Sequence, residues 1–161
     1  MDAVCKAGCA LAKDIQAKLG RLEPEAGLVL GSAWGCVATD AEFWRSRPDG
    51  PDARPRLFAY TLPNIVLGEV ASQEKLTGEA FVVSAGEASM VAALAEAVLR
   101  VGGGQWPAAM VLWIEDFRLE GAPPPRTLWL APTHGPSLRV SMEGHWQPAT
   151  RGMGSQGADA L

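Results

Sequence analysis

The residue whose type and setting could do chemistry is Glu87. It sits in the turn Ala85-Gly86-Glu87-Ala88-Ser89, between the short β-prone run Ala80–Ser84 and an apolar helical stretch, Met90 to Val101. A strand that turns sharply into a helix presents one side chain at the helix N-terminus, where backbone N–H groups can hold an oxyanion. As a general base, Glu87 would need a raised pKa and a substrate pocket. The structural alternative is that its carboxylate complements the helix dipole, for roughly 0.3–1 kcal/mol. The serines beside it, Ser84 and Ser89, could be nucleophiles only with a histidine base and an orienting group. The two histidines, His134 and His145, are distant in sequence and read as surface residues.

The remaining candidates are weaker. No cysteine follows Cys36. Cys5 and Cys9 lie one helical turn apart, yet no second pair has metal-ligand spacing, so they read as small apolar residues on a helix and no metal is expected. Gly31-Ser32-Ala33-Trp34-Gly35 follows a strand but has neither dinucleotide-binding nor P-loop form, so it is expected to be a close backbone turn. No cofactor is implied.

The elements that position Glu87 form the centre of the chain. Met90 to Val101 is apolar at nearly every position, broken by Glu96 and Arg100, which predicts a helix buried on more than one face. Gly102-Gly103-Gly104 can end it with a left-handed residue. Ala108 to Ile114 is apolar throughout, as in a strand covered on both faces. The unit is βαβ.

Around it, Val4, Gly8, Leu11, Ile15 and Leu19 make a helical stripe closed by Gly20, and Gly27–Gly31 is a short strand. Thr39 and Glu42 read as a capping box for a short helix over Asp40 to Arg45. The proline-rich segment Arg47 to Arg56 reads as a loop, and a helix starting near Thr61, with Pro63 in its first turn, ends before Gly78. Arg126–Ala131 and Ser137–Met142 read as strands joined through Pro132–Pro136. Residues 1–146 are expected to form one domain, and 147–161 a frayed tail.

Composition is ordinary for a soluble globular chain. The 161 residues are 48% hydrophobic and 20% charged. Lys+Arg 14 against Asp+Glu 18 gives −4, with no basic cluster for nucleic acid or an anionic membrane. No apolar run reaches membrane-spanning length, and the charged N-terminus is not a secretory signal. Three cysteines are no disulfide framework, and a cytoplasmic setting is expected.

Three blocks in order suggest a family: Gly27-Leu-Val-Leu-Gly-Ser32 with Gly35, Phe58-Ala-Tyr-Thr-Leu-Pro-Asn64, and Leu76-Thr-Gly78 with Val83-Ser-Ala-Gly-Glu-Ala-Ser89. Over Gly27 to Ala131 the chain resembles the N-terminal half of β-ketoacyl synthases. It is most similar to the divergent branch that includes chain-length-factor-like partners in polyketide and aryl-polyene-type pathways. The resemblance implies half of a thiolase-like fold, a mixed sheet flanked by helices around the strand–turn–helix–strand unit. It places the family's nucleophilic cysteine at Glu87, with Ser89 matching the turn's serine and Met90 its glycine. A one-residue slip would place the cysteine at Gly86. Neither alignment supplies a thiol. The family's two catalytic histidines belong to a C-terminal half that this chain lacks.

The resemblance therefore implies a non-catalytic, chain-length-factor-like partner subunit for fatty-acid or polyketide-type elongation. Its partners would be a full-length ketosynthase and an acyl carrier protein, in a homo- or heterodimer. The alternative is a malonyl-carrier-protein decarboxylase or vestigial acyltransferase using Glu87. With the second half absent, Ala92, Ala95 and Leu99 would face water, and strand Ala80–Ser84, which pairs across the family's dimer axis, would be an open edge.

Overall fold

The computed structural model describes residues 2–46, 55–116, 118–133 and 135–142. Along them run five helices and five strands: α1 Ala3–Leu19, β1 Gly27–Gly31, α2 Val37–Arg45, α3 Pro55–Phe58, α4 Asn64–Glu74, β2 Ala80–Val83, α5 Ser89–Gly102, β3 Ala109–Trp113, β4 Arg126–Thr133 and β5 Gly135–Met142. The sheet order is β2-β1-β3-β4-β5. β1 is parallel to β2 and β3, whereas β3/β4 and β4/β5 are antiparallel. This is the mixed α/β sheet expected from the sequence.

Strand alternation sends side chains to two apolar layers. Leu28, Leu30, Met110, Leu112, Ile114 and Trp129 pack with Val4, Leu11 and Ile15 of α1 and Val66, Leu67 and Val70 of α4. Val29, Ala109, Val111, Leu128 and Leu130 pack with Ala93, Ala97 and Val101 of α5 and with Trp106. Two glycines permit close approach. A Cβ on Gly8 would lie 2.6 Å from Val66 Cγ1, so α1 presses on α4 there, and one on Gly31 would lie 2.7 Å from the Ser89 carbonyl oxygen. The start of α5 is thus seated on the end of β1.

Several expectations need correction. α5 is not buried on more than one face: Ala93, Ala97 and Val101 pack inward, but Val91 and Leu99 are 69% and 70% exposed, and Ala95 and Val98 are exposed as well. One sheet offers one surface, so a helix apolar all round keeps its far side open. Ala92 is half-buried. α2 begins at Val37 rather than at Asp40, and no Thr39 capping box forms. The acceptor for its first turn is remote: Asp116 Oδ2 takes the Ala38 N–H at 3.2 Å. Leu19 is exposed, leaving the α1 stripe at Ile15. Pro63 precedes α4 as its N-cap, with Thr61 and Leu62 in the preceding turn.

Most of the proline-rich segment, 47–54, lies outside the described residues, but Pro55 already starts a helical turn. β4 and β5 extend to Thr133 and from Gly135, with an irregularity at Pro132/Thr133, so the connection is shorter than expected. Strand edges and bulges are where a ladder tolerates proline. The 147–161 tail, His134 and His145 lie outside the described residues.

Gly104, with φ +71°, supplies the left-handed residue behind α5. Glu96 and Arg100, the breaks in the apolar run, pair with each other at 2.7 Å across one turn. Arg100 also reaches Glu79 at 2.6 Å and lies over the rings of Phe81 and Trp106. It pins the end of α5 to the start of β2. Among the described residues β2 pairs only with β1 and is an edge strand.

Candidate functional site

The carboxyl ends of the three parallel strands meet at one place, the usual location of sites in open α/β sheets. β1 ends in Ser32-Ala33-Trp34-Gly35, β2 in the turn carrying Glu87, and β3 in Glu115-Asp116. Ser32 ties the three ends together. Its N–H donates to Val83 O, its carbonyl accepts the Ser84 hydroxyl at 2.9 Å, and its own hydroxyl donates to Glu115 Oε2 at 3.0 Å.

The expected nucleophile turn is built, but its hydroxyls are occupied. Ser89 Oγ accepts the Ala85 N–H at 2.9 Å and donates to Gly86 O at 2.6 Å. Gly86 takes φ +58°, which a residue without Cβ adopts at little cost. Using Ser84 or Ser89 as a nucleophile would dismantle the turn that presents it. Glu87 is exposed, two residues ahead of the first residue of α5. Sequence reasoning thus placed Ser84, Gly86, Glu87 and Ser89 in one turn, and they are together there. No histidine among the described residues joins them.

Two acids escaped that reading. Glu115 is 5% exposed and all four of its acceptor positions are used. Oε1 accepts from the Ala33 N–H at 2.7 Å and from Trp113 Nε1 at 3.3 Å, and Oε2 from Ser32 Oγ and from the Trp34 N–H at 3.1 Å. The glycine-bounded loop after β1 is therefore a cradle of N–H groups already filled by the chain's own carboxylate. A phosphate there would have to displace it. The available signal was the pair Glu115-Asp116 directly after a wholly apolar strand: two carboxylates entering a core need donors waiting for them.

Asp116 is fully buried and is neutralised by Arg118, whose Nε and Nη2 donate to it at 2.7 and 2.6 Å. Arg118 Nη2 also donates to Thr39 Oγ1, and Thr39 donates to Asp2, which caps α1 through the Val4 N–H at 2.9 Å. Hydrogen bonding and charge from Asp116 raise the Arg118 pKa above its ordinary value, against the opposing effect of burial. The chain holds the start of α1, the start of α2 and the end of β3 in one network.

The cysteines are buried. Burial, with nearby Asp2, pushes the Cys5 and Cys36 thiols up to about 12, and burial also raises Cys9. They are inert thiols at neutral pH. Among the described residues no group of three His, Cys, Asp or Glu side chains could hold a metal. Trp113 departs from its expected place in the core: it is half-buried, donates to Glu115 and lies under the Arg126 guanidinium at 5.3 Å. Trp129, 7% exposed, is core.

Between the three strand ends lies a cleft of about 670 Å³, lined by Trp34, Val37, Glu87, Trp113, Glu115 and Leu119 among others. The segment 119–123 closes its far side.

No family model matches the chain, and no curated protein matches it. Among solved structures, the chain is similar to one of a ketosynthase, ApeO, in complex with its chain length factor, ApeC, from Xenorhabdus doucetiae. That match has TM-score 0.54 and 22% identity over 66% of this chain and 44% of the other. A further match is a ketosynthase from module 1 of the bacillaene synthase of Bacillus amyloliquefaciens FZB42, with TM-score 0.42 and 16% identity over 70% of this chain and 18% of that one. The first match shows the fold alone: part of a ketosynthase-like α/β fold. This chain spans less than half of the matched chain. Among the described residues no helix is long and apolar enough to cross a membrane.

Proposed function

We propose that the chain is a non-catalytic, ketosynthase-like partner subunit, chain-length-factor-like, for fatty-acid or polyketide-type elongation. The observation that carries this reading is the turn at Glu87. Where the resembled synthases have a thiol, this chain has an exposed carboxylate, and the flanking hydroxyls of Ser84 and Ser89 are spent on holding the backbone. A second feature supports a role in association. The open face of α5, with Val91, Ala95, Val98 and Leu99, follows directly from that turn, and among the described residues β2 leaves one ladder edge unpaired. Apolar patches and unpaired edges of this kind mark contact surfaces. The proposed partners are a full-length ketosynthase and its acyl carrier protein, in a cytoplasmic dimer that shapes the synthase's chain tunnel.

The competing enzyme reading, a malonyl-carrier-protein decarboxylase or vestigial acyltransferase, has one observation in its favour: Glu87 lines the cleft. The same cleft weighs against it, because Glu115 and Glu120 line it too, and like charges oppose entry of a malonyl carboxylate. Incubation with malonyl-carrier protein separates the two. The partner reading expects carbon dioxide release no faster than from the Glu87→Ala variant. Release that disappears in Glu87→Ala would establish the enzyme instead.

A further inference from the structure

The cleft has apolar, aromatic walls and charges of one sign. Trp34, 67% exposed, and Val37, Trp113 and Leu119 supply apolar surface, while the charged side chains lining it are Glu87, Glu115 and Glu120. Asp116 has Arg118 as counter-ion, but Glu115 is held only by N–H and O–H donors. Glu87 and Glu120 are exposed, and among the described residues neither has an ion-pair partner. The Arg126 guanidinium stacks on Trp113 without joining any cleft carboxylate.

An anionic ligand would meet three like charges. A strongly hydrated cation would gain little from the indole walls. A guanidinium satisfies both features, since it is planar, weakly hydrated, stacks on aromatic faces and pairs with carboxylates through a rigid fork. The volume exceeds one such group and leaves room for its aliphatic stem and an apolar neighbour. Glu87 lies in the turn that leads into α5, four residues before Val91, so a protein covering the open side of α5 is placed beside the cleft rim.

We propose that the cleft is a docking site for an arginine side chain carried by a protein partner, its guanidinium stacked on Trp34 and paired with Glu87 and Glu120. The protein-borne source rests on the partner-subunit reading; the cleft's preference for a guanidinium does not.

The test uses the full chain and N-acetyl-arginine amide, with N-acetyl-citrulline amide as the neutral isostere, hexanoate as an anionic apolar probe and calcium as a plain cation. Indole N–H resonances, assigned with Trp34→Phe and Trp113→Phe, are followed by NMR. The arginine compound should shift the Trp34 and Trp113 signals saturably, about tenfold more tightly than citrulline, a difference typical of charge complementarity. Added salt and the Glu87→Gln/Glu120→Gln double variant should weaken the response. Both residues are exposed, so the double variant should keep the wild-type circular dichroism spectrum. Equal response to citrulline, preference for hexanoate or calcium, or no response to any probe would overturn the proposal. Failure of the subunit reading shows separately, as absence of a complex with a ketosynthase.

Discussion

Replacing Glu115 tests whether the site is held by one buried carboxylate. In Glu115→Ala the Ser32 hydroxyl, fully buried, loses its acceptor, and the N–H groups of Ala33 and Trp34 and the Trp113 indole lose theirs. A buried donor left unmade costs about 1–3 kcal/mol, and each partly exposed one, which water can reach, about 0.5–1.5 kcal/mol at most. Removing a buried charge with no counter-cation returns part of this, so the expected loss is about 2–4 kcal/mol. That is a large share of an ordinary domain stability of about 5–15 kcal/mol. Glu115→Gln sharpens the test. It keeps the shape, but its amide must turn a donor toward two of the four donors, so it should lose nearly as much as alanine. Urea titration followed by circular dichroism measures both. A loss below about 0.5 kcal/mol in both variants, on the scale of an ordinary surface substitution, would refute the idea that Glu115 organises the loop.

Other perturbations probe neighbouring parts of the argument. Gly31→Ala brings a Cβ to 2.7 Å from the Ser89 carbonyl, so α5 must lift from β1. Denaturant titration should show a loss of about 1–3 kcal/mol, and a neutral result would mean that the contact is slack. Trp129→Ala should cost about 3–5 kcal/mol, a large-to-small change in the layer under α1. Cys5 and Cys36 titrate from an ordinary 9.0 when unfolded to about 12 when folded, so the folded state keeps protons that the unfolded state gives up. Stability is therefore fully present below about pH 9 and falls as pH rises toward 12. Stability measured across that range should decline less steeply in Cys36→Ala than in the parent.

Much of the fold was legible because its signals are local. Alternation and apolar runs located every strand, and the placement of Ala80–Val83, Ser89–Gly102 and Ala109–Trp113 followed from one βαβ pattern. Misplacements arose where a remote residue decides. α2 starts at Val37 because Asp116, 78 residues away, caps it, and a local capping box had no way to register that. The turn residues of the candidate site were also readable, since glycine and serine near a strand–helix junction have local roles. Glu115 was not, because three of its four donors lie 81 to 83 residues earlier in the chain and a carboxylate after a strand looks the same whether cradled or exposed. Trp113 looked like core for the same reason: an apolar strand does not show where its last residue leaves the sheet.

The proposed partner role requires association through α5 and β2, and sedimentation velocity at micromolar concentration measures it. A homodimer is expected when the chain is purified alone, replaced by a heterodimer when an equimolar full-length ketosynthase is added. Val91→Glu/Leu99→Glu should abolish both complexes while the separated chain keeps its circular dichroism spectrum, because in the single chain both side chains already face water. A wild-type monomer that neither binds an apolar dye nor joins the ketosynthase would contradict the account.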